Sequence, residues 1–262
     1  MTPILVFDIE TVPDVAGLRR AHGVSAAVDD EGLLDWMAQQ RRAQTGSDFL
    51  QLQYQQVVAI SCALREGSSF RVWSLGELTD QEPELIRRFF DGLERYTPQL
   101  VSWNGGGFDL PVLHYRALIH GISAARYWDW GDEDREFRYN NYLNRYHTRH
   151  LDLMDVLSAF QPRATAGLDV MARLCGFPGK LGMDGSAVFA AVRAGELESV
   201  RRYCETDVMN TYLLYLRFQL LRGVHSAGEY AKEVSLAREK IAASGAVHWD
   251  EFLKAWDANA VG

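Results

Sequence analysis

Asp8 and Glu10 in ILVFDIET, Asp109 in SWNGGGFD, and Tyr203 with Asp207 in YCETD are the residues of this chain whose types and spacing could do chemistry. Four carboxylates from three separated segments make a site for hard cations, because acidic groups at the end of an apolar run are costly to bury until something cationic neutralises them. Oxygen donors favour Mg²⁺ or Mn²⁺ over zinc, which usually recruits histidine or cysteine. Two such ions, about 4 Å apart, can generate a nucleophile from water and stabilise a leaving oxygen, as phosphodiester hydrolysis requires. A tyrosine with a pKa near ~10 is a poor base at neutral pH, so Tyr203 suits the positioning of water. Each motif also has a plain structural reading. A strand-end Asp is a common turn former, Asp109 before Leu110 and Pro111 fits a helix N-cap, and Tyr203 with Asp207 fits an ordinary pair on a helix surface.

The elements that must position these groups can be read from hydropathy. Ile4–Phe7 is an apolar run expected as a buried strand that ends in Asp8 and Glu10, two residues apart and so on one face. A polar stretch from Pro13 to about Gln56, with a helical piece over Leu33–Arg42, reads as an insertion before a second strand. Residues 57–64 (VVAISCAL) and Phe70–Leu75 form a hairpin around Glu66-Gly67. Glu82–Tyr96 has helical periodicity with Pro83 in its first turn. Leu100–Trp103 is a further strand that delivers Asn104 and three glycines, and a helix over Leu110–Ile119 follows. Later helices are expected over Leu168–Cys175, Ala187–Ala194 and Leu197–Leu221, the last carrying Tyr203 and Asp207 four residues apart. Strands alternating with helices predict an open, mostly parallel sheet with ligands at the carboxyl ends of its strands. Residues 223–262 read as a tail with a final apolar helix over Phe252–Trp256, packed on the domain or free to meet a partner.

With these segments in hand, the chain resembles the DEDD exonucleases, specifically their tyrosine-bearing branch. The carriers are Phe-Asp-Ile-Glu-Thr at 7–11, Trp-Asn-Gly-Gly-Gly-Phe-Asp at 103–109 and Tyr203-x-x-x-Asp207. Asn104, five residues before Asp109, is similar to the proofreading exonuclease domains of family B DNA polymerases. HLDLMD (150–155), GLDVMARLCGFPGK (167–180) and DGSAV (184–188) resemble the stand-alone predicted exonucleases related to that domain. The resemblance implies an α/β ribonuclease H-like fold, a mixed sheet flanked by helices over residues 1–222, with 223–262 as a helical extension and no room for a polymerase. It implies 3′–5′ hydrolysis of single-stranded DNA to nucleoside monophosphates with two Mg²⁺ or Mn²⁺ ions. Asp8 would bridge both ions, Glu10 and Asp207 would complete the site that activates water, and Asp109 would serve the second ion, while Tyr203 orients the water. Thr11, Asn104, Phe108 and Lys180 are the expected contacts to the terminal nucleotide, although strand-end packing accounts for Thr11 and Phe108 equally well, and an exposed loop explains Lys180.

Composition bounds these expectations. The chain of 262 residues is 47% hydrophobic with seven tryptophans, enough for one sizeable domain with a full core. Cys62, Cys175 and Cys204 are few and widely spaced, which fits free thiols in a reducing cytoplasm and neither a disulfide framework nor a zinc site. Ile4–Phe7 is too short for a signal peptide or membrane span. The formal net charge of −8 disfavours a broad duplex-binding face but leaves room for a local strand groove.

Residues 125–150 interleave seven aromatics with five arginines, the pairing by which single strands are held without sequence preference. Tyr139 or Tyr142 is the expected base platform. The same segment carries Asp129, Asp132, Glu133, Asp134 and Glu136, so it also reads as a loop folded back and neutralised by its own charges. Gly105-Gly106-Gly107 lacks both the P-loop ending and the dinucleotide pattern, so nucleotide-cofactor chemistry is disfavoured and the glycines serve close approach beside Asp109. Asp152 and Asp155 fit a strand end and a helix start, and His114, His147 and His150 have no metal-binding spacing. Three functions of different classes remain open: a DNA exonuclease, the same chemistry on RNA or short oligonucleotides, and a catalytically silent nucleic-acid-binding module.

Overall fold

The computed structural model describes residues 2–259; residues 260–262 of the expected tail lie outside them. Five strands form one sheet in the order β3-β2-β1-β4-β5. In chain order they are β1 (Ile4–Pro13), β2 (Gln55–Glu66), β3 (Ser69–Ser74), β4 (Gln99–Ser102) and β5 (His150–Asp152). The sheet is mixed: β1, β2 and β3 pair antiparallel, whereas β4 and β5 run parallel to β1. The expectation of a mostly parallel sheet therefore holds for one half. The two-residue turn at Gly67-Ser68 joins Glu66 to Ser69 and leaves β2 and β3 no alternative to antiparallel pairing.

β1 runs well past its apolar stretch, through Asp8 and Glu10 to Pro13. Its alternation separates two cores. Leu5, Phe7 and Ile9 face one side, with α3 (Glu82–Tyr96) and α4 (Asp109–His120), while Val6 faces the other, under α8 (Leu197–Leu221). Phe7 is buried with its ring 5.0 Å from Phe89 of α3; truncating it would cost about 3–5 kcal/mol. Asp8 and Glu10 have the parity of Val6, so β1 turns them towards α8.

The stretch between β1 and β2 holds two helices, α1 (Val15–His22) and α2 (Asp30–Thr45), instead of the single piece expected. Leu18, Leu33, Met37 and Leu50 give them a small core of their own. Short helices α5 (Leu153–Leu157), α6 (Leu168–Leu174) and α7 (Val188–Arg193) precede α8. Beyond it, α9 (Ala227–Ala243) and α10 (Val247–Asn259) insert Ala237, Ile241, Trp249, Phe252 and Trp256 into the same core as α8 and β1. The Arg65–Glu233 ion pair at 2.7 Å and a hydrogen bond between His248 and Glu205 at 3.0 Å tie these helices to the sheet and to α8. Among the described residues no helix is long and apolar enough to cross a membrane.

The far end of β1 is held by a second set of charges. Arg116 of α4 reaches Asp14 at 2.6 Å and Glu82 at 2.5 Å, and all three are buried. Glu82 also accepts the Val57 amide at 2.7 Å and lies 2.6 Å from His120 Nε2.

Candidate active site

The acidic residues converge where β4 leaves the sheet. Parallel pairing of β1 with β4 stops at Val6↔Val101, because β4 ends at Ser102 and the chain turns into α4. Ile9 consequently has an amide with no strand partner on that edge, and Asp109 Oδ1 accepts it at 3.1 Å. Asp109 is the first residue of α4 and not its N-cap; Phe108 holds the cap position without a side-chain hydrogen bond. On β1, a bulge between Glu10 and Thr11 shifts the register with β2, a device that re-aims side chains beside functional sites.

The turn that delivers Asp109 is built from backbone constraints. Asn104 adopts φ +66°, a left-handed conformation that Asn tolerates better than most residues. Its amide and that of Gly106 donate to the two oxygens of Asp152, both at 2.9 Å. A Cβ at Gly105 would lie 2.4 Å from Ser102 Oγ, and one at Gly107 would lie 2.6 Å from Asn104 Oδ1. The glycines thus let the turn fold upon itself. Asp152 also caps α5 through the Met154 and Asp155 amides, so it positions the site without joining it.

From the other side α8 presents Tyr203, Cys204 and Asp207, all buried. Tyr203 and Asp207, one helical turn apart, share the face that meets β1. Ligand atoms of Asp8, Glu10 and Cys204 lie within 4.8 Å of one another. The Cys204 thiol donates to the Asp8 carbonyl at 3.4 Å and to its carboxylate at 3.6 Å. Burial, followed by the field of Asp8 and Glu10, pushes this thiol well above its ordinary pKa. It is therefore a neutral donor to Asp8, and the carboxylates are the anionic groups of the cluster.

Lys180 completes the constellation from the loop after α6. Its ammonium lies 2.9 Å from Asp207 Oδ2 and donates to the Tyr203 hydroxyl. The loop is pinned to α8 by Asn210, which exchanges hydrogen bonds with Gly179 at 3.1 and 2.9 Å, and the Lys180 amide donates to Asp169 at 2.7 Å. Lys180 is thus a member of the cluster, although its place in a loop favours a solvated lysine from sequence alone. Asn210 gave a faint signal, standing three residues after Asp207 on the same helix. Cys204 was masked by its reading as a mere buried thiol.

One ammonium faces four carboxylates, and the electrostatics reflect that imbalance. Burial raises Asp8 well above the ordinary carboxylate range, and Asp109, Glu10 and Asp207 raise it further while Lys180 opposes them. Glu10 is raised by burial and by Asp207. Asp109 is pushed up to about 7, mainly by burial, against the stabilising Ile9 amide. Burial also raises Asp207, with Lys180 pulling it back. Asp207 Oδ1 is buried with no hydrogen-bond partner among the described residues. A buried acceptor left unpaired beside desolvated carboxylates is what a cation site requires, so the oxygen-rich set fits divalent metal. Tyr203 is raised by burial and then by Asp207 and Glu10, and so holds its proton at neutral pH.

The remaining expected contacts divide. Thr11 Oγ1 donates to Gln55 Oε1 at 3.1 Å beside Glu10, and the Phe108 ring faces the same cleft. Tyr142 is a correction: it is 2% exposed, stacks on Tyr127 at 5.6 Å, and donates its hydroxyl to the Pro98 carbonyl at 2.7 Å. It cannot offer a face to a base. Tyr139 is 82% exposed. Arg149 lies over Phe137 at 4.3 Å and Arg145 pairs with Asp155 at 2.7 Å, while Arg135, Arg138, Trp128, Trp130, Tyr139 and Tyr146 stay exposed, so the folded-back alternative describes part of the segment.

Comparison with known proteins adds an independent line. A family model described as a predicted 3′–5′ exonuclease related to the exonuclease domain of PolB matches residues 47–256, a range that holds Asp109, Tyr203 and Asp207 and starts after Asp8 and Glu10. A DNA polymerase epsilon catalytic subunit from Arabidopsis thaliana is 26% identical over 231 residues, 82% of this chain and 10% of that protein. Its counterpart from Dictyostelium discoideum, also a DNA polymerase epsilon catalytic subunit, is 26% identical over 140 residues, 52% of this chain and 6% of that one. The chain therefore spans a tenth or less of these curated relatives. The family B DNA polymerase of the archaeon Pyrobaculum calidifontis superimposes with a TM-score of 0.50 at 18% identity, covering 84% of this chain and 25% of the polymerase; that likeness is one of fold.

Proposed function

The chain belongs to the family of predicted 3′–5′ exonucleases related to the exonuclease domain of PolB, and from that premise we propose that it removes nucleoside monophosphates from the 3′ end of single-stranded DNA. The observation that carries this reading is the convergence of Asp8, Glu10, Asp109 and Asp207 into one buried cluster with a single neutralising lysine. DNA is preferred as the polymer because the relatives are DNA polymerases. A reducing, cytoplasmic setting suits the free Cys62 and Cys204.

Asp8, Glu10, Asp109 and Asp207 would hold Mg²⁺ or Mn²⁺, two ions as the resemblance to the DEDD exonucleases implies. Bound there, the metal would supply Lewis-acid activation of water and stabilisation of the leaving 3′-oxygen. The protein's own residues do the rest. Tyr203 keeps its proton and hydrogen-bonds the attacking water, fixing its direction without acting as base. Cys204 donates to Asp8 and holds that carboxylate in orientation, as outer-shell donors do for ligands. Lys180 neutralises Asp207 and stands close enough to the cluster to meet a substrate phosphate. Thr11, Asn104 and Phe108 border the place of the terminal nucleotide, and Tyr139 remains an exposed candidate platform further along the strand.

The test is hydrolysis of matched 5′-labelled single-stranded DNA and RNA by wild type and Asp8→Ala, in Mg²⁺, Mn²⁺ or EDTA. A metal-dependent ladder shortening from the 3′ end, faster on DNA and absent in the variant, is the expected result. Preferential cleavage of RNA would reassign the polymer. No cleavage of either strand, with binding retained, would make the chain a silent nucleic-acid-binding module.

A further inference from the structure

The insertion between β1 and β2 carries a side chain that its own small core does not use. Leu50 is buried with Leu18, Leu33 and Met37, yet its neighbour Phe49 is 54% exposed. The segment is pinned: Arg41 Nε donates to the Phe49 carbonyl at 3.3 Å, and the Phe49 amide donates to Ser47 Oγ at 3.2 Å. A large ring left half in water on an anchored loop keeps area that a ligand's apolar face can cover.

The ring borders a cleft of about 490 Å³ that also includes Glu10, Thr11, Gln55, Phe108 and Phe189. Phe49 and Phe108 have centroids 5.9 Å apart with planes tilted by 56°. Phe108 directly precedes Asp109. The cleft therefore brings together two neighbouring aromatic rings, the Thr11–Gln55 hydrogen bond and the acidic Glu10. A nucleotide carries groups that match these: an apolar base face, a sugar with polar edges, and a phosphate that must meet the acidic cluster. Aromatic faces accept any base, because every base has a π-face.

We infer that Phe49 is a substrate-binding residue, which together with Phe108 takes the base of the 3′-terminal nucleotide and makes the insertion part of the nucleic-acid site. This role of Phe49 rests on exonuclease activity at the acidic cluster. It also sets a specificity: the terminal base is held by stacking, so cleavage is indifferent to which base is present and sensitive to whether one is present.

The test compares wild type, Phe49→Ala and Phe49→Trp on single strands ending in a normal or an abasic 3′ nucleotide. Phe49→Ala should raise KM on the normal strand about tenfold with little change in kcat, and Phe49→Trp should retain wild-type KM. On the abasic strand wild type should lose the same factor, and Phe49→Ala should add nothing. An unchanged KM in Phe49→Ala, or an equal loss on normal and abasic strands, would overturn the role. Binding without turnover separates this from the chemistry. A strand carrying 2-aminopurine at its 3′ end, mixed with the same proteins in EDTA, should be quenched by wild type and Phe49→Trp and not by Phe49→Ala. If wild type cleaves nothing, the exonuclease function falls, while equal quenching by wild type and Phe49→Ala would by itself remove Phe49 from the site.

Discussion

Two buried charge clusters lie along β1, and they are built on opposite terms. At the end of the strand, Arg116 meets Asp14 and Glu82 at 2.6 and 2.5 Å, with His120 Nε2 on the same Glu82 oxygen, Oε2. Burial works against the charge of Asp14, yet the Arg116 guanidinium and the Gly17 amide outweigh it and hold this carboxyl below its ordinary range. Burial likewise opposes Arg116, whose carboxylate partners nevertheless raise it. At mid-strand, Asp8 and Glu10 join Asp109 and Asp207 with Lys180 alone among the described residues to answer them, and burial raises all four. The first cluster is complete as folded and joins β1, α3 and α4. The second is incomplete, and Asp207 Oδ1 has no partner among the described residues. Buried charge that is paired reports architecture; buried charge that is not reports a ligand.

Breaking each cluster should therefore show in a different measurement. Asp8→Ala should lower kcat/KM on single-stranded DNA by about 10³–10⁴-fold, at ~1.36 kcal/mol per decade, while its thermal unfolding in EDTA stays at or above the wild-type midpoint because a desolvated carboxylate is gone. A midpoint several degrees lower would show that the acidic cluster is structural. Arg116→Met should do the reverse. It strands Asp14 and Glu82 without a countercharge, so denaturant unfolding should lose about 3–5 kcal/mol, with kcat per folded molecule preserved.

Proton linkage sharpens the contrast. Asp109 has a folded pKa of about 7 against an ordinary 3.8, so its contribution to stability is fully present below 3.8 and is lost as pH rises through about 7. Asp14 is lowered, so its contribution is present above the ordinary carboxylate range and is lost as pH falls through its folded value. In EDTA, wild type should lose stability relative to Asp109→Asn as pH is raised from about 4 to about 7, and added Mg²⁺ should cancel the difference at neutral pH. A flat difference across that window would mean that Asp109 is ionised throughout in the folded chain. The smallest effect belongs to Tyr203→Phe, which removes a positioning hydroxyl and should lower kcat by about tenfold. A steeper pH dependence of kcat in that variant would instead give Tyr203 a role in proton transfer.

Much of the site was legible before any coordinate. Asp8 and Glu10 share a face because strand periodicity is two, and Tyr203 and Asp207 share one because a helix turns in 3.6 residues; both faces turn to the cluster. The helices over 82–96 and 197–221 were readable to their ends from apolar spacing and from Pro83. Asp109 was legible as a site residue, and its plain alternative as an N-cap fails, because Phe108 holds that position and Asp109 accepts an Ile9 amide 100 residues away. Tyr142 and Tyr139 sit three apart in one aromatic segment, and nothing local distinguishes the buried ring from the exposed one; the stack on Tyr127 and the Pro98 carbonyl decide it.

The amino-acid order by itself determined which carboxylates could act together, the strand and helix that present them, and the oxygen-only chemistry they offer, because those follow from residue type and from short-range periodicity. Tertiary structure alone decided that Lys180 enters the cluster through a loop clasped by Asn210, that Cys204 reaches Asp8 across 196 positions of chain, that β4 stops early enough to free an amide for Asp109, and that Phe49 stands at the mouth of the cleft. Periodicity states which way a side chain faces. What it faces depends on segments distant in sequence, brought opposite one another only when the sheet and α8 close around their shared core.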